Sequence, residues 1–188
     1  FEFWALNQEF PVKVVVNEAQ EPEKSPGALN DLKLLFEEGY QNSDRSPWMI
    51  LAGDSLIDFP LNEVVCSQAG ENHLPLLLVR KIEGEIPPKC YSEVILDERD
   101  LVIRIREKPE NPSSPFSAIC AYLMPQNFPQ LLNQYLSLGG ESDAPGYMME
   151  WLVRKRNCYA WHIPKGSFWD IGNLQSYEEA KQVSLKKI

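Results

Sequence analysis

The fold turns on residues 48–65, WMILAGDSLIDFPLNEVV. Trp48 to Ala52 is a short continuous apolar run, the pattern of a strand buried on both faces. It stops at Gly53-Asp54, where glycine lets the backbone turn tightly and an acid leaves the core. Leu61 to Gln68 then reads as a helix. Strand, Gly-Asp turn and helix in succession predict an α/β domain, in which ligands gather at the carboxyl ends of strands.

The same reading extends in both directions. Upstream, Lys13 to Val16 (KVVV) predicts another strand buried on both faces, and Asn17 to Gly27 (NEAQEPEKSPG) a polar loop. Asn30 to Glu38 predicts a helix with Asn30 or Asp31 as its cap. Downstream, Leu74 to Arg80 (LPLLLVR) is a third strand. Ser92 to Leu96 and Leu101 to Arg106 flank a hairpin turn at Asp97-Glu98-Arg99-Asp100. Ala118 to Met124 predicts a strand, Phe128 to Leu138 a helix stopped by Gly139-Gly140, and Tyr147 to Lys155 a helix. Cys158 to Ile163 and Ser176 to Lys186 supply a last strand and a closing helix. Strands alternate with helices early, and antiparallel pairs enter later. The expectation is a sheet of mixed direction.

Composition narrows the function. The 188 residues carry 18 Lys plus Arg against 27 Asp plus Glu, a formal charge of −9. Such a surface is not built to neutralise a nucleic-acid backbone or to dock on anionic lipid. A small anion remains a possible ligand, because one loop, one lysine or a divalent metal can hold it. No apolar run approaches the ~18–20 residues of a membrane span, and Phe1 to Phe10 lacks the pattern of a signal peptide. Cys66, Cys90, Cys120 and Cys158 form no CxxC pair, and their apolar neighbours predict buried thiols in a reducing, cytoplasmic compartment. With only His73 and His162, no structural zinc site is expected. Trp48, Trp151, Trp161 and Trp169 read as core, and His162 as a structural histidine.

Three acids stand where strands end. Asp54 follows WMILAG, Glu107 and Lys108 follow LVIRIR before Pro109, and Asp170 follows the stretch Trp161 to Trp169. Two carboxylates converging from distant strand ends make a hard-cation site; Mg²⁺ takes one or two and fills its other positions with water and phosphate. A lysine beside them adds a point charge for a phosphate. Taken singly, an Asp after Gly is a turn former about as often as a ligand, and an EKP triplet is a solvated turn. Their order along the chain carries the argument.

SPGALNDLKLLFEEG, WMILAGDSLIDFPLNEVV, IREKP, AYLMP and GSFWDIGNLQSYEEA follow one another in the order seen in sugar-phosphate nucleotidyltransferases. From about Val12 to Ala180 the chain resembles that family, which includes glucose-1-phosphate thymidylyl- and uridylyltransferases and mannose-1-phosphate guanylyltransferases. The resemblance implies a Rossmann-like α/β fold of the nucleotide-diphospho-sugar transferase type, a mixed, mostly parallel sheet flanked by helices. It implies that Gly27 lies against the nucleotide base and that Asp54 and Asp170 bind catalytic Mg²⁺, with Trp169 and Gly172 as framework. Glu107 and Lys108 would hold the sugar hydroxyls and the sugar phosphate. The implied reaction joins a sugar-1-phosphate to a nucleoside triphosphate, giving a nucleotide-sugar and pyrophosphate without a covalent nucleophile.

Relative to the family, one domain over residues 1–188 is expected to be N-terminally incomplete. The family's first strand and its L-A-G-G-x-G-T-R-L-x-P phosphate loop have no counterpart in FEFWALNQEF. The neighbouring strands are then expected to be left unpaired, an edge that would favour homo-oligomer formation. Ser92 and Cys120 stand where the family has glycines that let backbone approach the sugar, so both are expected to narrow the pocket or alter which sugar fits. Asn173 replaces a common Thr, and Asp58 is a reserve candidate for the metal or its surroundings. Two functions follow: a Mg²⁺-dependent enzyme of this family, or a catalytically degenerate domain that binds ligand or regulates a partner.

Overall fold

The structure, a computed structural model, describes residues 1–17, 19, 21, 25–39, 46–67 and 73–185. A one-turn helix α1 (Glu2–Ala5) precedes α2 (Ala28–Glu37), β1 (Trp48–Leu51), β2 (Ser55–Ile57) and α3 (Leu61–Val65). Then come β3 (Leu76–Lys81), the hairpin β4 (Ser92–Leu96) and β5 (Val102–Arg106), and β6 (Phe116–Met124). The chain closes through α4 (Phe128–Ser137), α5 (Pro145–Val153), β7 (Tyr159–His162), β8 (Phe168–Asp170) and α6 (Leu174–Leu185).

β6 organises the main sheet. One of its edges carries β3, which in turn pairs with β7; the other is shared end to end by two strands. β4 takes the first half, with Ser92 opposite Ala118 and Val94 opposite Phe116. β1 takes the second half, with Leu51 opposite Ala121 and Trp48 opposite Met124. Between the two halves lies Cys120, whose φ of 54° is left-handed, and the β3 register also slips there, between Leu77 and Val79. Such bulges open a ladder and re-aim side chains.

Both faces of the sheet are buried, as the apolar runs require. On one face Leu77, Val79, Tyr122 and Met124 pack against α2, α4 and α5 through Leu29, Phe128, Leu132 and Leu152. On the other, Leu76, Leu78, Ala121 and Leu123 pack with Val64 of α3, and Phe59 and Phe168 lie over them. The alternation along β3 and β6 is the two-residue period of a strand. The hairpin turn forms where expected: Asp97 Oδ1 accepts the N–H groups of Arg99 at 2.8 Å and Leu101 at 2.9 Å. His162 Nε2 lies 2.7 Å from Asp100 Oδ1, tying β7 to this turn. Trp48, Trp151 and Trp161 are half-buried against the two cores.

Several expectations are corrected. The sheet is mixed and helix-flanked, but it is mostly antiparallel: β3 with β7 is the parallel pair, while β6 runs against β1, β3 and β4, and β5 against β4. The hairpin and the central position of β6 cause this. Lys13 to Val16 is irregular rather than a strand, and Val16 is 73% exposed. A β-branched run becomes a strand only with a ladder partner, and among the described residues this one has none. The segment lies instead along a broad apolar hollow beside Leu35 and Ile50, at the edge of β1 that pairs with no other strand among the described residues.

Gly27, not Asn30 or Asp31, occupies the N-cap of α2. Asn30 Nδ2 reaches the Pro26 carbonyl, and Asp31 accepts from Asn17 Nδ2. Cys66 and Cys90 are exposed and Cys120 is half-buried; Cys158 is the buried thiol. Apolar neighbours in sequence do not decide which way a side chain faces. Gln68 and Lys186, the expected ends of two helices, lie outside the described residues, as does part of the Asn17 to Gly27 loop. Among the described residues, no helix is long and apolar enough to cross a membrane.

A buried carboxylate anchors the β5–β6 connection. Glu93, 3% exposed, accepts from Arg106 Nε at 2.5 Å, from Ser114 N–H at 2.7 Å and from Ser113 N–H. Burial pushes this carboxyl up, but the Ser113 and Ser114 N–H groups and Arg106 outweigh it and hold it below its ordinary value. A lowered native pKa gives stability that is complete above the ordinary carboxylate range and is lost as pH falls to the lowered value. Glu93→Gln is expected to cost about 2–4 kcal/mol at neutral pH, because it leaves Arg106 without its counter-charge. It should also flatten the acid limb of a plot of thermal midpoint against pH as the pH falls below the ordinary carboxylate range.

Candidate active site

The candidate site opens where β1 and β4 part company along β6. β1 ends at Leu51, and the Ala52 N–H still donates to the Cys120 carbonyl at 3.2 Å. Gly53 and Asp54 then turn the chain into β2, which pairs with β8 as a separate ribbon. Ser55 stands opposite Asp170, Leu56 opposite Trp169 and Ile57 opposite Phe168, while the Ile171 N–H donates to the Asp54 carbonyl at 2.8 Å. Two acids from distant parts of the chain are thereby held as neighbours. Sequence reasoning missed this ribbon, because its strands are three residues each and carry no periodic signal.

A cavity of about 230 Å³ gathers Asp54, Asp170, Glu107, Lys108, Ser92 and Cys120 along its walls. Asp54, Asp170 and Lys108 are exposed, Glu107 half-buried. The Ser92 hydroxyl donates to Glu107 Oε2 at 2.5 Å, bridging the start of β4 and the end of β5. Lys108 is held with φ 42°, in the left-handed region that side-chain-bearing residues rarely occupy. Among the described residues, no salt bridge links Asp54, Asp170, Glu107 or Lys108 to a partner. The carboxylates therefore share the cavity with Lys108 without forming an ion pair. That donor set suits a hard divalent cation, with Asp54 and Asp170 as its oxygen ligands. No third His, Cys, Asp or Glu joins them in a metal-holding group among the described residues, so water and ligand oxygens would complete such a shell.

Cys120 lies at the centre of this charge. Burial pushes its thiol up; a hydrogen bond with Tyr122 pulls it back, and the charges of Asp54, Glu107 and Asp170 raise it further. The thiol is thus kept protonated and is a poor nucleophile. Tyr122, fully enclosed, is pushed well above the ordinary phenol range by burial and by the neighbouring Cys120 and Glu107. Among the described residues lining the cleft there is no activated nucleophile of the Ser–His or Cys–His kind.

The remaining expected residues fall elsewhere. Gly27 is buried, with φ 87°, and a Cβ there would lie 2.6 Å from the Ser142 carbonyl oxygen. It fixes the start of α2 against residues 142–143 and does not line the cleft. Asp58 sits at the far end of the ribbon, its N–H donating to the Ser167 carbonyl. Trp169 and Gly172 line an adjoining hollow of about 350 Å³. Asn173 caps α6: its Oδ1 accepts the Ser176 N–H at 3.0 Å.

Two lining residues went unnoticed in the sequence, Arg80 and Gly146. Arg80 is the last residue but one of β3, on a run whose apolar pattern reads as core rather than as a site. Gly146 opens α5 behind Pro145, and its Cα supports the Glu107 carboxylate: a Cβ there would lie 1.8 Å from Glu107 Oε2 and 3.2 Å from Ser92 Oγ. The Pro-Gly pair at the head of a helix was the available signal.

Comparison with known proteins gives the class. The family model for nucleotidyl transferases matches residues 2–187, and the chain belongs to that family. Among solved structures it is similar to a protein assigned as a glucose-1-phosphate thymidylyltransferase from Bacillus anthracis, in complex with sucrose (TM-score 0.64, 16% identity, 86% of this chain, 62% of that one). It is similar also to a UDP-glucose pyrophosphorylase complexed with UDP-glucose (TM-score 0.67, 16% identity, 86% of this chain, 63% of that one). The apo form of a UDP-glucose pyrophosphorylase gives TM-score 0.66 at 16% identity, over 87% of this chain and 62% of that one. At such identity the likeness is one of fold, and the chain spans less than two thirds of each of these relatives. Among curated proteins, no sequence matches the chain.

Gly146 separates the packing of the site from the stability of the fold. Gly146→Ala should leave the thermal midpoint unchanged or raised, since alanine favours a helix by roughly 1 kcal/mol over glycine and the obstructing atom is the tip of a side chain. A crystal structure of the variant is expected to show Glu107 displaced and its bond to Ser92 broken.

Proposed function

We propose that this chain is a sugar-phosphate nucleotidyltransferase, joining a sugar-1-phosphate to a nucleoside triphosphate with Mg²⁺ as cofactor. The observation that carries the reading is the meeting of Asp54 and Asp170 on one ribbon, facing Glu107, Ser92 and Lys108 across one cavity. In the reaction an oxygen of the sugar phosphate attacks the α-phosphorus of the triphosphate, a new P–O bond forms, and the bond to the β-phosphate breaks to release pyrophosphate. Mg²⁺ bound by Asp54 and Asp170 would offset the charge of the two phosphate groups. Lys108 adds a point charge for the sugar phosphate, and Glu107, oriented by Ser92 and seated on Gly146, accepts hydrogen bonds from sugar hydroxyls. Gly27 keeps the start of α2 in place near the base. No side chain is asked to form a covalent bond.

The second reading, a ligand-binding or regulatory domain without turnover, is favoured by Cys120. Its side chain occupies the bulge where a glycine would leave room, on the wall of the cavity that Asp54 and Asp170 share. Cys120→Gly relieves a left-handed side chain and widens the cleft at once.

Pyrophosphate release in the presence of Mg²⁺, with nucleoside triphosphates crossed against sugar-1-phosphates, separates the two. The enzyme reading expects release with at least one pair, and a loss of at least roughly 100-fold in Asp54→Asn and in Asp170→Asn with folding intact. Full activity in either variant removes the metal assignment. Ligand binding without release, restored to turnover by Cys120→Gly, would instead establish the second reading.

A further inference from the structure

We propose that Arg80 is an oxyanion-binding residue of this cleft, taking a phosphoryl group of the bound ligand through its guanidinium. The inference rests on the sugar-phosphate reading above and adds a residue to it. β3 is buried from Leu76 to Val79, and Arg80 is the first of its residues to emerge, at the end of the strand that abuts the cavity. The guanidinium carbon lies 4.6 Å from the centroid of the Tyr91 ring and 5.4 Å from that of Phe168. Two aromatic rings thus fix its position without using its N–H donors.

One of those donors is enclosed without an acceptor. Arg80 Nε is buried and has no hydrogen-bond partner, and among the described residues no carboxylate pairs with the guanidinium. A buried, charged donor left unsatisfied is costly, and in a native structure it points to a partner supplied from outside. The surroundings define that partner. Arg80 lines both the cavity holding Asp170 and Lys108 and the adjoining hollow at Gly172 and Ser176, standing where the two meet. A planar fork beside a lysine in a polar cleft matches a phosphoryl group, which it can bind through two parallel hydrogen bonds. Lys108 from the end of β5 and Arg80 from the end of β3 would approach the ligand from different sides.

The phosphoryl group could belong to the sugar phosphate or to the triphosphate, and titration calorimetry with Mg²⁺ distinguishes them. Glucose-1-phosphate and pyrophosphate serve as the probes, on the wild type, Arg80→Met and Arg80→Lys. Methionine keeps the stem between the rings and removes the charge; lysine keeps the charge and removes the fork. A loss of roughly 10- to 100-fold for glucose-1-phosphate in Arg80→Met, partly recovered in Arg80→Lys, assigns Arg80 to the sugar phosphate. The same loss confined to pyrophosphate assigns it to the triphosphate. Both variants should melt close to the wild type; should Arg80→Met fail to fold, the Arg80→Lys titration decides by a loss or its absence. Unchanged affinity for both probes in the folded variants overturns the role of Arg80 and leaves the proposed function standing. A wild type that binds neither probe overturns both.

Discussion

A single edge of β6 serves two strands, and the rest of the site depends on that division. β4 and β1 cannot both run the full length of the edge, so one ladder must end before the other begins. Cys120 sits at the changeover, with its backbone in the left-handed region and the β3 register slipping beside it. A regular ladder would have closed this gap with hydrogen bonds. The bulge keeps it open, and the cavity forms there, bounded by the end of β1, the start of β4 and the end of β5. Peptide groups at the break still find partners, as the bond from Ala52 to Cys120 shows.

Charge follows from the same geometry. Once β1 leaves the sheet, β2 is free to pair with β8, and the ribbon brings Asp54 beside Asp170. Carboxylates gathered without a salt-bridge partner repel one another, and a fold optimised for stability alone would pair or disperse them. Elsewhere this chain does pair them: Glu93 is buried with Arg106, Ser113 and Ser114 around it. The contrast between a buried, ion-paired acid in the scaffold and acids without an ion pair in the cleft distinguishes the part of the molecule that holds shape from the candidate site. Arg80, clasped by rings and without an acceptor, belongs to the second part.

Much of the scaffold could be read from pattern. LPLLLVR and AICAYLM declare buried strands because both of their faces are apolar, and the hairpin at Asp97 to Asp100 follows from a side chain that can bond its own backbone. The KVVV run shows the limit of that reading, since β-branched residues permit a strand but do not supply its neighbour. The site was legible in its acids. Asp54, Glu107, Lys108 and Asp170 were found by their position after strands, and all four line one cavity. Gly146 and Arg80 were not found, because a glycine under a carboxylate and an arginine between two rings have meaning only once Glu107, Tyr91 and Phe168 are in place.

By itself, then, the amino-acid order determined which segments would be buried, where they would turn, and which acids would be left at strand ends, since these depend on local periodicity and on the chemistry of single residues. Strand direction, the sharing of the β6 edge, the pairing of β2 with β8 and the partnerless state of Arg80 were decided only by the tertiary structure. Each of these depends on contacts between residues far apart in the chain, and local pattern carries no record of which distant segment will supply the other half of a ladder or the other side of a cleft.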